Sequence, residues 1–171
     1  MKKIKKYLPL LFVLLIIFTI FSLVRRFRSG KTRGEVTVQI GQTYEFIARD
    51  ENGNPANSIL PLTFISATKK DSVNIQGQKA TAKNGKVFLV LDFEVKNDSS
   101  QTYYLLPVDL IRLLQGEETK IAPSVHQGRL EVRPISSKFS NLGFVIEQKQ
   151  KGFQFEVGEI DGEKNELKVQ F

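Results

Sequence analysis

Two hydrophobic patterns divide the chain. Leu8 to Val24 is a run of 17 residues without a charge, in which Thr19 and Ser22 are the weakly polar members. From Val36 onward, apolar residues instead recur at every second position, the period of a strand with one buried face. Val36, Val38 and Ile40 alternate with Thr37 and Gln39, and Gly41-Gln42 reads as a break before Tyr44 and Phe46. The stretch Asp50-Glu-Asn-Gly-Asn-Pro55 is a dense turn signal. Leu62 to Ala67 reads as a strand, and Val73 with Ile75 as another short one.

The strongest element is Val87 to Lys96. Its odd positions are all apolar, whereas its even positions begin as Phe88 and Val90 and become Asp92, Glu94 and Lys96. Such a strand is expected to be buried on both faces at one end and on one face at the other. Asn97-Asp-Ser-Ser100 turns the chain. Tyr103 to Leu106 and Val108 to Leu114 read as strands split at Pro107, with a helical turn as the alternative for the second. Leu130 and Val132, then Phe153 to Val157, then Leu167 to Phe171, alternate cleanly, and Asp161-Gly162 is a turn pair in the polar loop between the last two. Roughly eight to ten short strands in residues 35–171, with no long 3.6-residue stripe and no repeat, predict an all-β sandwich or barrel of one domain.

At about 1.5 Å per residue, a helix over residues 8–24 is about 25 Å long, near the lower limit for crossing a hydrocarbon core. A buried core helix would carry a polar stripe, and this run has none. A cleaved signal peptide needs small residues at the cleavage site. Here Phe21-Ser-Leu-Val24 runs straight into Arg25, Arg26 and Arg28. The expected organisation is a basic tail (1–7), a transmembrane anchor (8–24), a basic juxtamembrane linker (25–34) and a β-sandwich domain (35–171). Bases flank the run on both sides, so the positive-inside rule leaves orientation open. The β-domain architecture favours an extracytoplasmic C-terminal domain. The second basic cluster is placed to meet anionic headgroups or to act as a plain membrane-proximal stop.

Charge alters the reading of composition. The chain carries 25 Lys+Arg against 18 Asp+Glu, a net +7. Residues 1–33 hold nine of the bases and no acid, which leaves 16 bases against 18 acids and a net of −2 for residues 34–171. The basic excess therefore belongs to the anchor region, and a nucleic-acid partner has no support: the domain is acidic, and its aromatics fall mostly on the apolar phase of strands. With no Cys there is no disulfide, thiolate nucleophile or thiolate zinc site, and the single His cannot build a multi-His metal site.

Leu62-Thr-Phe-Ile-Ser-Ala-Thr-Lys-Lys70, then Asn84-Gly-Lys-Val-Phe-Leu-Val-Leu-Asp-Phe-Glu-Val-Lys-Asn97, then Asp109-Leu-Ile-Arg-Leu113 and a closing Phe144-Val-Ile146 to Leu167-Lys-Val169 region resemble, in order, a family of bacterial membrane-anchored cell-envelope domains of unknown function. That family is similar to the mycobacterial immunoprotective secreted antigen. The resemblance covers about residues 36 to 171 and implies an immunoglobulin-like β-sandwich tethered to a membrane. It carries no catalytic residues to this chain. Where the family often shows Pro-Gly after a strand, this chain has Pro134-Ile135.

Candidate chemistry is sparse. Asn97 is expected to satisfy backbone groups of its own turn; Asn97-Asp98-Ser99 also fits a glycosylation acceptor. His126 lies two residues from Ser124, but nothing such as a G-x-S-x-G turn presents a nucleophile. Asp50 to Asn54 gathers oxygens around a glycine as a calcium loop would, without the spaced acids or distal Glu of an EF-hand, and a solvated turn is the alternative. Asp161-Gly-Glu163 carries less, and phosphate-cradling glycine motifs are missing. No catalytic, cofactor-binding or metal residues are assigned, and no cofactor is expected. The expected function is a membrane-anchored extracytoplasmic binding module without catalytic activity, its partner an envelope protein or cell-surface ligand and its first candidates for contact the loops Asp50 to Asn57 and Ser124 to Gly128. A cytoplasm-facing assembly subunit of a membrane complex and a carboxylate-dependent enzyme are the alternatives.

Overall fold

The computed structural model describes residues 35–75, 77–116 and 119–171. The expected anchor at 8–24, with its flanking basic segments, lies outside the described residues. Among the described residues no helix is long and apolar enough to cross a membrane.

Among the described residues twelve strands and one helical turn follow one another: β1 (Val36–Arg49), β2 (Pro55–Lys70), β3 (Ser72–Ile75), β4 (Gln78–Thr81), β5 (Lys86–Asn97), β6 (Tyr103–Leu105), α1 (Pro107–Leu110), β7 (Ile111–Gln115), β8 (Thr119–Ile121), β9 (Leu130–Val132), β10 (Ser136–Glu147), β11 (Gly152–Val157) and β12 (Asn165–Gln170). They form a six-stranded sheet in the order β10-β5-β2-β1-β6-β9, a four-stranded sheet β12-β11-β7-β8, and a separate β3-β4 hairpin. All the pairings are antiparallel.

The two larger sheets pack face to face as a β-sandwich. Their shared core takes Phe46, Leu62, Phe64, Leu91 and Phe93 from one sheet and Ile111, Phe155 and Leu167 from the other. Phe144 meets Phe155 across the layers with ring centroids 5.4 Å apart. Each fully buried aromatic or aliphatic side chain of this kind contributes about 1.5–3 kcal/mol by leaving water. Residues 34–171 form one compact unit, and among the described residues its core is drawn from its own strands and from Leu110 of α1.

The two-faced burial expected for β5 is present. Leu89, Leu91, Phe93 and Val95 face the main core, while Phe88 and Val90 form a second small core with Val125, covered by Val73, Ile75, Ala80 and Ala82 of the β3-β4 hairpin and its exit. Beyond the hairpin the outer face of β5 is polar, and there the sequence turns to Asp92, Glu94 and Lys96.

Several expected elements are corrected. Gly41-Gln42 does not break the first strand: β1 runs through it, and the register against β2 slips between Gln39 and Gln42, a bulge where Gly41 takes φ +73°. The helical turn, rather than a strand, follows Pro107, because proline at a first helical position costs no hydrogen bond; the strand resumes at Ile111. The polar strands β4 and β8 and the first half of β10 carry no usable alternation, so the strand count exceeds the expected eight to ten. At Pro134-Ile135 the chain turns through a left-handed residue. Ile135 sits at φ +49°, 80% exposed, a conformation that costs a β-branched residue about 1–2 kcal/mol.

β9 and β10 are opposite edges of one sheet, yet only Arg133, Pro134 and Ile135 separate them. The sheet must therefore curl until its edges approach, and Asn97, 1% exposed at the end of β5, joins that seam. Its Nδ2 donates to the carbonyls of Val132 (2.9 Å), Arg133 (3.1 Å) and Gln101 (2.8 Å). Its Oδ1 accepts from the backbone N–H (3.0 Å) and the hydroxyl (2.7 Å) of Ser99. The structural reading of Asn97 stands. A glycosylated amide has no place there, because the side chain is enclosed and its protons are committed.

Candidate functional site

At the end of the sandwich where β1 closes, the loop between β11 and β12 and the turn α1 fold beside β1 and β6. Between them lies a cleft of about 620 Å³. Phe46 and Ala48 point into the core, so the intervening Ile47 and then Arg49 face outward into the cleft. Arg49 pairs in register with Tyr104 on β6.

The polar groups of the cleft are held by short local interactions. The Asp50–Asn54 turn sets its first wall: Asp50 N–H donates to the Asn54 carbonyl at 2.9 Å, and Gly53, at φ +88°, donates to the Asp50 carbonyl at 3.1 Å. Asp50 Oδ1 accepts from the backbone N–H groups of Asn52 and Asn54, each at 2.9 Å, and Oδ2 from Asn54 Nδ2 at 3.2 Å. These donors, the Asn54 amide above all, hold the Asp50 carboxyl below its ordinary range. Its oxygens are thus turned to the chain's own amides, the arrangement of a self-satisfied Asx turn. Among the described residues no three His, Cys, Asp or Glu side chains gather as a metal site would require.

Arg49 spans the cleft floor. Its Nη1 donates to the Gly53 carbonyl and its Nη2 to Glu159 Oε2, both at 3.1 Å. The other oxygen of that carboxylate, Glu159 Oε1, is enclosed and has no hydrogen-bond partner among the described residues. A buried acceptor left unmade costs about 1–3 kcal/mol, so the site is set up to gain from a donor that arrives there. The second guanidinium, Arg129, lies flat over the Tyr104 ring at 3.7 Å to its centroid, and no acid pairs with it among the described residues. Asp109 on α1 and Asp161 line the same space, as do the apolar Leu106 and Ile160. Ile47 is 49% and Ile160 64% exposed. Ile59, the cross-strand partner of Ile47, extends this apolar rim.

The loop that supplies Glu159 is pinned. Gly158 N–H donates to the Leu110 carbonyl at 2.9 Å, tying the loop to α1. Gly162 N–H donates to the Glu159 carbonyl at 3.1 Å, and Lys164 Nζ donates to the Glu159 and Ile160 carbonyls.

Of the two loops singled out in the sequence, the first contributes Gly53 and Pro55 to the cleft. The second does not reach it. Ser124 and Val125 N–H donate to the Gly143 carbonyl and Gly143 N–H returns to Val125, so this segment covers the middle of the β10 edge. That contact needs glycine: a Cβ on Gly143 would lie 2.9 Å from Val125 Cβ. Ser124 and His126 do not bond to each other among the described residues; His126 Nδ1 accepts from the Gly128 N–H at 3.1 Å. Arg129, Tyr104, Asp109, Glu159 and Ile160 were not legible as a site. The only prior signal was the Asp161-Gly162 pair, which marked the loop but not what it faces.

The cleft can therefore hold a ligand that offers an acceptor to Arg129, a donor to Glu159 Oε1, and an apolar part to Ile47, Leu106 and Ile160. Besides its carboxylates and the Tyr104 side chain, its lining among the described residues holds no Ser, Thr, Cys, His or Lys.

The fold is thus a β-sandwich with a mixed polar and apolar cleft at one end. No protein-family model matches the chain, and no curated protein does so at a significant level. Among solved structures, a conserved hypothetical protein from Bacillus anthracis is similar over 76% of this chain and 98% of its own, at 16% identity and a TM-score of 0.42. An uncharacterized beta-sandwich protein from Clostridium difficile 630 is similar over 77% of this chain and 91% of its own, at 14% identity and a TM-score of 0.49.

Proposed function

We propose that the chain is a single-pass membrane protein whose immunoglobulin-like sandwich acts outside the cytoplasm as a non-enzymatic binding module, and that the end cleft receives its partner. One observation carries this reading: among the described residues the cleft holds an enclosed carboxylate oxygen without a donor and an exposed arginine without an acid, beside exposed isoleucines. An enclosed polar atom left open next to apolar surface and a free guanidinium is a feature of a site that binds. Position supports it as well. The chain passes from residues 1–34 into the domain at Val36, the start of β1, and the cleft lies at the other end of that strand, roughly 40 Å away at about 3.3 Å per residue.

A carboxylate-dependent enzyme is the second reading, favoured by Asp109, Glu159 and Asp161 lining one cleft. Against it, Glu159 is already paired with Arg49.

The test is capture from a detergent-solubilised cell envelope by the immobilised fragment 34–171. A specific envelope partner is expected on the wild-type fragment and, because a central arginine contact is worth about 2 kcal/mol or more, recovery should fall at least about tenfold with Arg129→Glu. Equal recovery on both fragments, or none on either while both remain folded and monodisperse, would remove the cleft as the binding site.

A further inference from the structure

The end of the sandwich opposite the cleft is basic, although the domain as a whole is not. Four strand ends meet there: Val36 of β1 pairs with Lys69 of β2, Lys70 with Phe88 of β5, and Lys86 of β5 with Glu147 of β10. The turn from β10 to β11 is fastened beside the loop before β5 by a bond from Gln148 N–H to the Gly85 carbonyl at 3.0 Å. Six lysines crowd these ends (Lys69, Lys70, Lys83, Lys86, Lys149 and Lys151) against three carboxylates (Glu35, Asp71 and Glu147). Lys70 and Lys86 lie near Glu35 and Glu147, at 4.0 and 3.9 Å. Lys69 is packed over the Phe171 and Phe153 rings, and burial together with the charge of Lys151 holds its ammonium below the usual lysine range. The remaining three, Lys83, Lys149 and Lys151, are exposed and have no acidic partner among the described residues. At the far end the balance is reversed: Asp109, Glu159 and Asp161 line the cleft and Asp50, Glu51 and Glu163 lie in its two loops, against Arg49, Arg129 and Lys164.

We propose that this lysine-rich end is a docking face for anionic phospholipid headgroups, with Lys83, Lys149 and Lys151 as its contacts. The inference rests on the membrane-anchor reading, and the position of the face supports it. The chain joins the domain at this end, through a segment that brings Arg25, Arg26, Arg28, Lys31 and Arg33 after the apolar run. Val36, 53% exposed, sits beside the lysines. Each lysine near an anionic surface strengthens binding about fivefold. A tether raises the local concentration of such a face to the millimolar range, so a weakly binding surface suffices to engage the headgroups.

Fragment 34–171, which has a net charge of −2, is the informative probe, because uniform charge would drive it away from anionic lipid. In co-sedimentation it is expected to bind vesicles of equal phosphatidylglycerol and phosphatidylcholine, to ignore pure phosphatidylcholine, and to be released by 0.5 M salt. Lys149→Glu with Lys151→Glu should weaken binding by about 25-fold or more. The charge-matched pair Lys96→Glu with Lys138→Glu, at the cleft end, should have little effect. Equal binding to both lipids, equal loss from the two pairs, or no binding to anionic vesicles overturns the docking face. Carbonate extraction of the full chain from membranes decides the anchor separately: a chain that resists extraction retains the anchor whatever the vesicles show, and a chain that is released removes both.

Discussion

Replacing Asn97 with alanine is expected to destabilise the domain by about 3–5 kcal/mol. The amide makes five hydrogen bonds, to three carbonyls and to both donors of Ser99. Removing it leaves the Val132 carbonyl without this donor in a buried setting and opens the seam where the two edges of the six-stranded sheet approach. Since small domains have total stabilities of about 5–15 kcal/mol, the loss is a large fraction of the whole. Urea unfolding of fragment 34–171 measures it. Asn97→Asp is expected to be nearly as costly, because a carboxylate cannot donate to the three carbonyls and would be buried among them. A loss below about 1 kcal/mol for Asn97→Ala would show that the seam is held by the surrounding apolar residues instead.

Gly158→Ala carries the second large effect. A Cβ at this position would stand 2.2 Å from the Glu163 carbonyl oxygen and 3.2 Å from Lys164 Cα. Both are backbone atoms, so no side-chain rotation relieves the clash. The β11-β12 loop must shift, and the bond from Gly158 N–H to Leu110 goes with it. Overpacking of this kind costs about 1–3 kcal/mol. The loop also carries Glu159 and Ile160, so the cleft should lose its partner along with its geometry. The expected result is a lowered urea midpoint together with faster proteolysis within residues 158–164. Gly162→Ala is the matched control: its Cβ would lie 3.1 Å from Glu159 Cβ and at ordinary contact distance, 3.8 and 3.9 Å, from the Glu159 backbone, and a much smaller change is expected. Equal behaviour of the two variants would contradict the close approach at Gly158.

The contrast between these two residues shows what could be read along the chain. Asn97 announced itself, because a polar residue that ends the strongest apolar strand must spend its amide on nearby backbone. The core was legible for a related reason: alternation assigns each residue of β5 or β11 to a face, and both faces of β5 followed from where Phe88 and Val90 give way to Asp92 and Glu94. Gly41 was misleading, since a glycine that ends a strand and one that bulges a continuous strand look the same until the partner strand is known. β4 and β8 gave no signal, because a short polar strand is held by its neighbour's backbone rather than by its own side chains. The cleft was hidden for a further reason. Arg49, Tyr104, Arg129 and Glu159 come from four separate segments, each of them an ordinary polar-phase or turn position, and only the closing of β1 against β6 and the β11-β12 loop brings them together. Charge was only half legible: the sequence separates a basic anchor region from an acidic domain, but the division of the domain into a lysine-rich end and an acidic end depends on which strand ends meet.

An anchored domain that presents this cleft outside the cytoplasm exposes its rim to reagents that cannot cross a membrane. The chain has no cysteine, so a single introduced thiol reports its own location without background. In intact cells, full-length chain carrying Ile160→Cys, at a position 64% exposed on the cleft rim, is expected to react with a membrane-impermeant maleimide. Chain carrying Lys3→Cys is expected to react only after permeabilisation. Labelling of Lys3→Cys in intact cells with Ile160→Cys protected would contradict the claim and place the domain, and its cleft, in the cytoplasm.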